Sequence, residues 1–240
     1  MDVLLSAEGI SKSYGGVRAV QEVFLAVHSS EVVAIVGDNG AGKSTLTKIL
    51  AGAVRPDSGV LSFKNAPVSF HNPKDAQRLG IEMLQQDLAL VADFSAPENL
   101  FFGRELLRFG FLRRKKMLDT TRDLLNQLGV SLPDYKLPVR FLSGGQRQAV
   151  AIGRVLAWGS KLIILDEPTA ALGVQESRQV LEMIKRMRGD NRTIVLITHN
   201  MDHVMEVADR VIVLRRGRKV GELVVRNCKI ADIVHLIVAG

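Results

Sequence analysis

A chain of 240 residues, 47% hydrophobic and 24% charged, carries enough apolar side chain for one large globular domain or two small ones, which excludes a disordered protein. Nine Phe, two Tyr and one Trp are few for an all-β sandwich or a base-stacking surface, and a single cysteine, Cys228, excludes a disulfide scaffold or a cysteine-rich zinc site. The formal charge of +7 admits an anionic partner without choosing among nucleotide, nucleic acid and lipid headgroup.

Met1-Asp2-Val3 lacks the basic start of a secretion signal. Apolar runs such as Leu162 to Leu165 fall far short of the roughly 20 residues of a spanning helix, so a cytoplasmic protein is expected, with any membrane association through a partner. The first third reads as strands: Val20 to Val27 and Glu31 to Val36 are rich in β-branched residues and are joined by a turn at His28-Ser29-Ser30. Ser44 to Ala51 has helical apolar spacing and stops at Gly52. Strand signals resume at Val60 to Phe63 and Val68 to Phe70. From about Ala96 to Leu128, the pattern of Met117, Leu118, Thr121, Leu124, Leu125 and Leu128 predicts one amphipathic helix within an inserted helical lobe, ended by Gly129. Helices at Gly145 to Trp158, at Glu176 to Met187 and after Asn200 then alternate with buried strands at Leu162 to Leu165 and Thr193 to Ile197. Such alternation predicts a parallel sheet covered on both faces. A hairpin around Arg216-Gly217 and a terminal helix close the chain. The basic run Arg113-Arg114-Lys115-Lys116 reads as a solvated helix face.

Chemistry concentrates in three places. Gly37-Asp38-Asn39-Gly40-Ala41-Gly42-Lys43-Ser44, followed by Thr45, matches a phosphate-binding loop and sits between a β-branched strand and a helix. Its glycines let backbone N–H groups turn toward a phosphate, and the helix start adds its positive dipole. Lys43 is then aimed at the β- and γ-phosphates, and Ser44 offers a hydroxyl to Mg²⁺. The second place is the end of the strand Leu162 to Leu165, where Asp166-Glu167-Pro168 emerge as open parallel sheets place their ligands. Asp166 is expected to hold Mg²⁺, and Glu167, projecting the other way, to polarise water as a general base. The third is Leu142-Ser143-Gly144-Gly145-Gln146, which opens another helix with glycine-freed amides. Two anion-binding helix starts in one chain call for two anions or a second chain.

These motifs, in this order, resemble the ATP-binding-cassette ATPases over essentially the whole chain. The resemblance implies a phosphate-loop α/β fold with a mainly parallel sheet, an N-terminal antiparallel β subdomain and a helical lobe at about 87–142, all in one domain over 1–240. It further implies that Leu142 to Gln146 act in trans, capping the γ-phosphate of ATP on the opposite subunit. Tyr14 matches the adenine-stacking aromatic, although an aromatic near a strand end is core as often as ligand contact. Gln86 matches the glutamine joining Mg²⁺ and water to the lobe, and His199 the switch histidine at the γ-phosphate; without the family the first would read as a surface residue and the second as structural. One departure stands out: Gly173 in Ala170-Ala171-Leu172-Gly173 replaces the family's usual acidic residue.

Gln85-Gln86-Asp87-Leu88, Glu98 to Glu105 and Thr169 to Val174 narrow the resemblance to bacterial monosaccharide importers of the ribose, xylose and fructose type. That implies an ATPase using ATP and Mg²⁺ on the cytoplasmic membrane face, pairing as a homodimer or with a paralogous cassette. Its further partners are two permease subunits and, indirectly, a solute-binding protein. Leu100, Phe101 and Phe102 are expected to offer apolar surface to a permease helix. A cassette acting on nucleic acid or ribosomes is the alternative, set aside because the chain shows no tandem cassette and no long coiled coil.

Overall fold

The computed structural model describes residues 2–239. In chain order it has β1 (Val3–Tyr14), β2 (Val17–His28), β3 (Val32–Val36), α1 (Lys43–Leu50), β4 (Ser58–Phe63), β5 (Ala66–Val68), α2 (Pro73–Leu79), β6 (Ile81–Leu84), α3 (Ala96–Phe101), β7 (Leu107–Arg108), β8 (Phe111–Leu112) and α4 (Arg114–Gln127). Then come α5 (Gly144–Ala157), β9 (Leu162–Asp166), α6 (Val174–Gly189), β10 (Thr193–Ile197), α7 (Met201–Val207), β11 (Arg210–Arg215), β12 (Arg218–Val224) and α8 (Ile230–Ala239).

The central sheet runs β12-β11-β3-β10-β9-β6, with only the β11–β12 hairpin antiparallel. Its middle strands are buried on both faces, so their sequences are continuous apolar runs and their side chains alternate between two cores. Ile163 and Leu165 of β9 and Ile194 and Leu196 of β10 face the core shared with the helical lobe. Leu162, Ile164, Val195 and Ile197 face the core shared with α1 and the antiparallel sheet β2-β1-β4-β5. The helical lobe packs α3 and α4 on α5, with Leu100, Met117, Leu125 and Ile152 in its interior.

The expected fold class holds, with local corrections. The single helix over Ala96 to Leu128 is instead two helices separated by the short β7–β8 hairpin. A capping box of Ser95 and Glu98 starts α3, whereas Gly103 and Gly110, both at positive φ, break the helical run between them. Val68 to Phe70 is a strand only at its first residue, since β5 spans Ala66–Val68. Leu100 and Phe101 are buried in the lobe, so of the three apolar residues expected to face a partner only Phe102, 54% exposed, is on the surface.

Candidate functional site

Register along the parallel strands brings the separate motifs together. Ile197 of β10 pairs with both Ile35 of β3 and Asp166 of β9, and Leu84 of β6 pairs with Leu165. The C-terminal ends of four strands therefore lie side by side, and the loops leaving them carry the phosphate loop, Gln86, Asp166-Glu167 and His199 to one edge of the sheet. These groups line a cavity of about 550 Å³.

The phosphate loop is built as much by packing as by its ligand chemistry. Gly37 has φ 147°, and a Cβ there would lie 2.1 Å from the Leu214 carbonyl oxygen. Gly42, the N-cap of α1 at φ 100°, would bring a Cβ to 2.3 Å from the Ala19 carbonyl oxygen. Only glycine fits either place. Gly42 supplies no capping side chain and the first turn of α1 holds no acidic residue, which leaves its N–H groups free for an anion. Lys43 Nζ donates to the carbonyl oxygens of Gly37 at 2.7 Å and Asp38 at 2.9 Å. Burial pulls its pKa down, against the opposing pull of Glu167, Asp166 and Asp38.

Asp166 and Glu167 do not project to opposite sides. Glu167 sits at φ 49°, in the left-handed region, so the chain turns as it leaves β9 and both residues line the same cavity. Burial, and then the neighbouring Glu167 charge, raise the Asp166 pKa, while Lys48 and Lys43 oppose the rise. Glu167 Oε1 is 2.9 Å from His199 Nδ1, and its Oε2 is buried with no hydrogen-bond partner. Asp166, half-buried, shares the cavity with the Ser44 hydroxyl and the Gln86 amide, a set of hard oxygen donors of the kind Mg²⁺ takes. Among the described residues no cluster of three or more His, Cys, Asp or Glu forms a metal cage.

Ser143 to Gln146 lie elsewhere. Ser143 caps α5: its Oγ accepts from the Gln146 N–H at 3.2 Å, and Gln146 Oε1 accepts from the Ser143 N–H at 3.0 Å. Both side chains border a different depression, next to α6, and not the cavity of Lys43. Gly144 and Gly145 pack against α6 and the loop before it, where a Cβ on Gly144 would approach Leu172 Cδ2 to 2.7 Å. Glu176 ties the two segments together, accepting from the N–H groups of Gly145 and Gly173 at 3.3 Å each. Those bonds, that from Gly173 foremost, hold its carboxyl below the usual range. Gly173 thus serves as the N-cap residue of α6. Tyr14 ends β1, 49% exposed, with Lys12 over its ring; it is close in sequence to Val17, which lines the cavity, without lining it itself.

Sequence reasoning missed Val17 and Arg18, which border the cavity from the start of β2. It also missed Glu176, whose only signal is its place three residues after Gly173 at a helix start.

A phosphate loop joined to a strand-end carboxylate pair at the edge of a parallel sheet defines a nucleotide-binding ATPase. The family model described as ABC transporter matches residues 20–170. The chain is 46% identical over 218 residues to the xylose/arabinose import ATP-binding protein XylG of Sulfolobus acidocaldarius, covering 91% of this chain and 87% of that one. It is 43% identical to the fructose import ATP-binding protein FrcA of Rhizobium meliloti, covering 96% and 92%. Against the ribose import ATP-binding protein RbsA of Yersinia pestis it is 40% identical over 98% of its own length but spans only 46% of that relative. Among solved structures, MJ1267, an ATP-binding cassette of an ABC transporter, matches with TM-score 0.87 at 25% identity over 100% of both chains. CbiO1 of Clostridium perfringens, part of an ABC transporter complex, matches with TM-score 0.83 at 29% identity, covering 98% of this chain and 93% of that one. The chain belongs to the ABC transporter family, and it is an ATP-binding, ATP-hydrolysing member of it.

Proposed function

We propose that the chain powers import of a monosaccharide by closing and reopening on ATP against a second cassette. The 87% and 92% coverage of two sugar-import ATP-binding proteins supports the transport reading. The geometric observation that carries the mechanism is the separation of the two glycine-opened helix starts: Lys43 and Ser143 border different cavities of one chain. An ATP held by the phosphate loop is therefore left open on its outer side, and the Leu142 to Gln146 segment of another copy or a paralogue completes it.

In this mechanism the free N–H groups of the loop and α1 bind the phosphates, and Lys43 exchanges the carbonyls of Gly37 and Asp38 for the β- and γ-phosphates. Tyr14 stacks on the adenine. Ser44, Asp166 and Gln86 would hold Mg²⁺, which would supply positive charge to the phosphates. Glu167 Oε2, free of any partner, accepts a proton from the attacking water, while His199 fixes the other carboxylate oxygen and faces the γ-phosphate. Most of the rate comes from positioning and charge rather than covalent chemistry. The lobe at 87–142, tied to the site by Gln86 and leading back to Ser143, passes the occupancy of the site to permease subunits through the groove beside Phe102, and a solute-binding protein acts on the far side of the membrane.

Isolation of the tagged chain from native membranes tests the transport reading. It predicts two copies of a spanning subunit in the complex and ATP-dependent uptake of a pentose or hexose by proteoliposomes made from it. A complex with ribosomes or nucleic acid, and no spanning subunit, would overturn it.

A further inference from the structure

The hairpin β7–β8 exposes apolar side chains that, among the described residues, no apolar side chain covers, with only the Arg108 guanidinium over the Phe109 ring. Phe109 is 89% exposed and Phe111 80%, with Leu107 and Leu112 beside them also on the surface. The turn itself is costly. Phe109 and Gly110 both have positive φ, 51° and 83°, the geometry of a tight hairpin turn that prefers Asn-Gly. A bulky residue held in the left-handed region with its ring in water is an outlier that stability does not explain.

Around this tip the sequence from Arg104 to Lys116 holds six cations, Arg104, Arg108, Arg113, Arg114, Lys115 and Lys116, against one carboxylate, Glu105. Among the described residues, only Arg104 of the six forms a salt bridge, to Glu82. Three of the others open α4, whose first turn has no acidic residue and whose N-cap, Arg113, offers no capping side chain. Positive side chains there oppose the helix dipole, so the fold gains nothing from them locally. The basic run is the solvated helix face expected from the sequence, its four side chains all exposed, and it follows directly on the apolar tip.

We propose that this hairpin docks on an anionic phospholipid surface, with Phe109 and Phe111 entering the interface and the surrounding Arg and Lys side chains meeting the headgroups. Charge complementarity selects this occupant: a cationic rim with almost no carboxylate matches a uniformly negative surface. Leucines beside the phenylalanines suit an acyl boundary better than stacked bases. An apolar insertion combined with a basic patch supplies the two signals that reversible peripheral binding requires. The chain would then touch the membrane directly, independently of any permease and of what it transports.

Flotation of the full chain with vesicles tests this. The chain should float with phosphatidylcholine vesicles containing phosphatidylglycerol as about a third of the lipid, not with pure phosphatidylcholine, and high salt should release it. R114Q/K115Q should weaken binding about 25-fold, roughly fivefold for each cation lost. F109N/F111S should weaken it about tenfold or more, while F109N alone, which gives the turn its preferred residue, should raise the melting temperature. ATP binding should be unchanged in all variants, since none of these residues lines the nucleotide cavity. Failure of the wild type to float with anionic vesicles, or equal flotation of the variants, overturns the proposal. Flotation only when vesicles contain purified permease overturns it in favour of a protein partner.

Discussion

His199 Nδ1 lies 2.9 Å from Oε1 of Glu167, while Oε2 of the same carboxylate is buried without a partner. One oxygen is oriented and the other is left free to accept a proton, the division of labour a positioned base needs. Glu167→Gln keeps the shape and removes the base. Hydrolysis should fall by about two or more orders of magnitude with ATP affinity largely kept, as read by single-turnover kinetics and calorimetry. Near-normal turnover would assign the base elsewhere.

Lys43→Ala should lower ATP affinity at least about tenfold, because it removes the flexible cation that the loop carbonyls of Gly37 and Asp38 hold in readiness. Titration calorimetry with and without Mg²⁺ measures this. Wild-type affinity in the variant would contradict the phosphate-loop assignment.

The parallel core was legible because β3, β9 and β10 are buried on both faces and so read as unbroken apolar runs. β6 was not, since Glu82 interrupts Ile81 to Leu84, and β1 was not, because Gly9 and its irregular pairing with β2 blur the alternation. The phosphate loop and the strand-end carboxylates could be read because short-range backbone geometry dictates their residues. Whether Asp166 and Glu167 face one cavity could not, as that depends on the left-handed turn at Glu167. The interior place of Leu100 and Phe101 also escaped sequence reasoning, because a short helix rich in apolar residues shows no face until α4 and α5 pack against it.

That packing separates two neighbouring phenylalanines. Phe101→Ala empties a core position and should lower the melting temperature of the isolated chain by on the order of 10 °C. Phe102, exposed and edge-on to Phe94, should cost little stability when replaced by Ala, yet weaken co-purification of the permease and sugar uptake. Intact uptake with Phe102→Ala would remove this groove as the docking place.

Burial raises the Glu82 pKa, against the fields of Arg104 and Arg154 and the hydrogen bond from Gln77. A carboxyl with a raised pKa holds its proton more tightly in the folded chain than in the unfolded one, so its contribution is complete below the unfolded value and lost as pH rises through the folded one. At neutral pH the ionised group is a net cost. Glu82→Gln should therefore raise the melting temperature by about 2–4 °C at neutral pH, with the gain shrinking as pH falls through the carboxylate range. Scanning calorimetry across that range is the check; a lower melting temperature at neutral pH would mean that the Arg104 ion pair outweighs burial.

The central claim is that Lys43 of one chain and Ser143 of another share one ATP, and the mass of the Glu167→Gln chain in solution tests it most directly. Light scattering should find a monomer without ATP and a dimer with it, because binding persists while hydrolysis is blocked. Adding Ser143→Arg should return the protein to a monomer at saturating ATP, with nucleotide still bound to the phosphate loop. A Glu167→Gln chain that stays monomeric with ATP bound, or one that dimerises equally well with Ser143→Arg, would contradict the shared site.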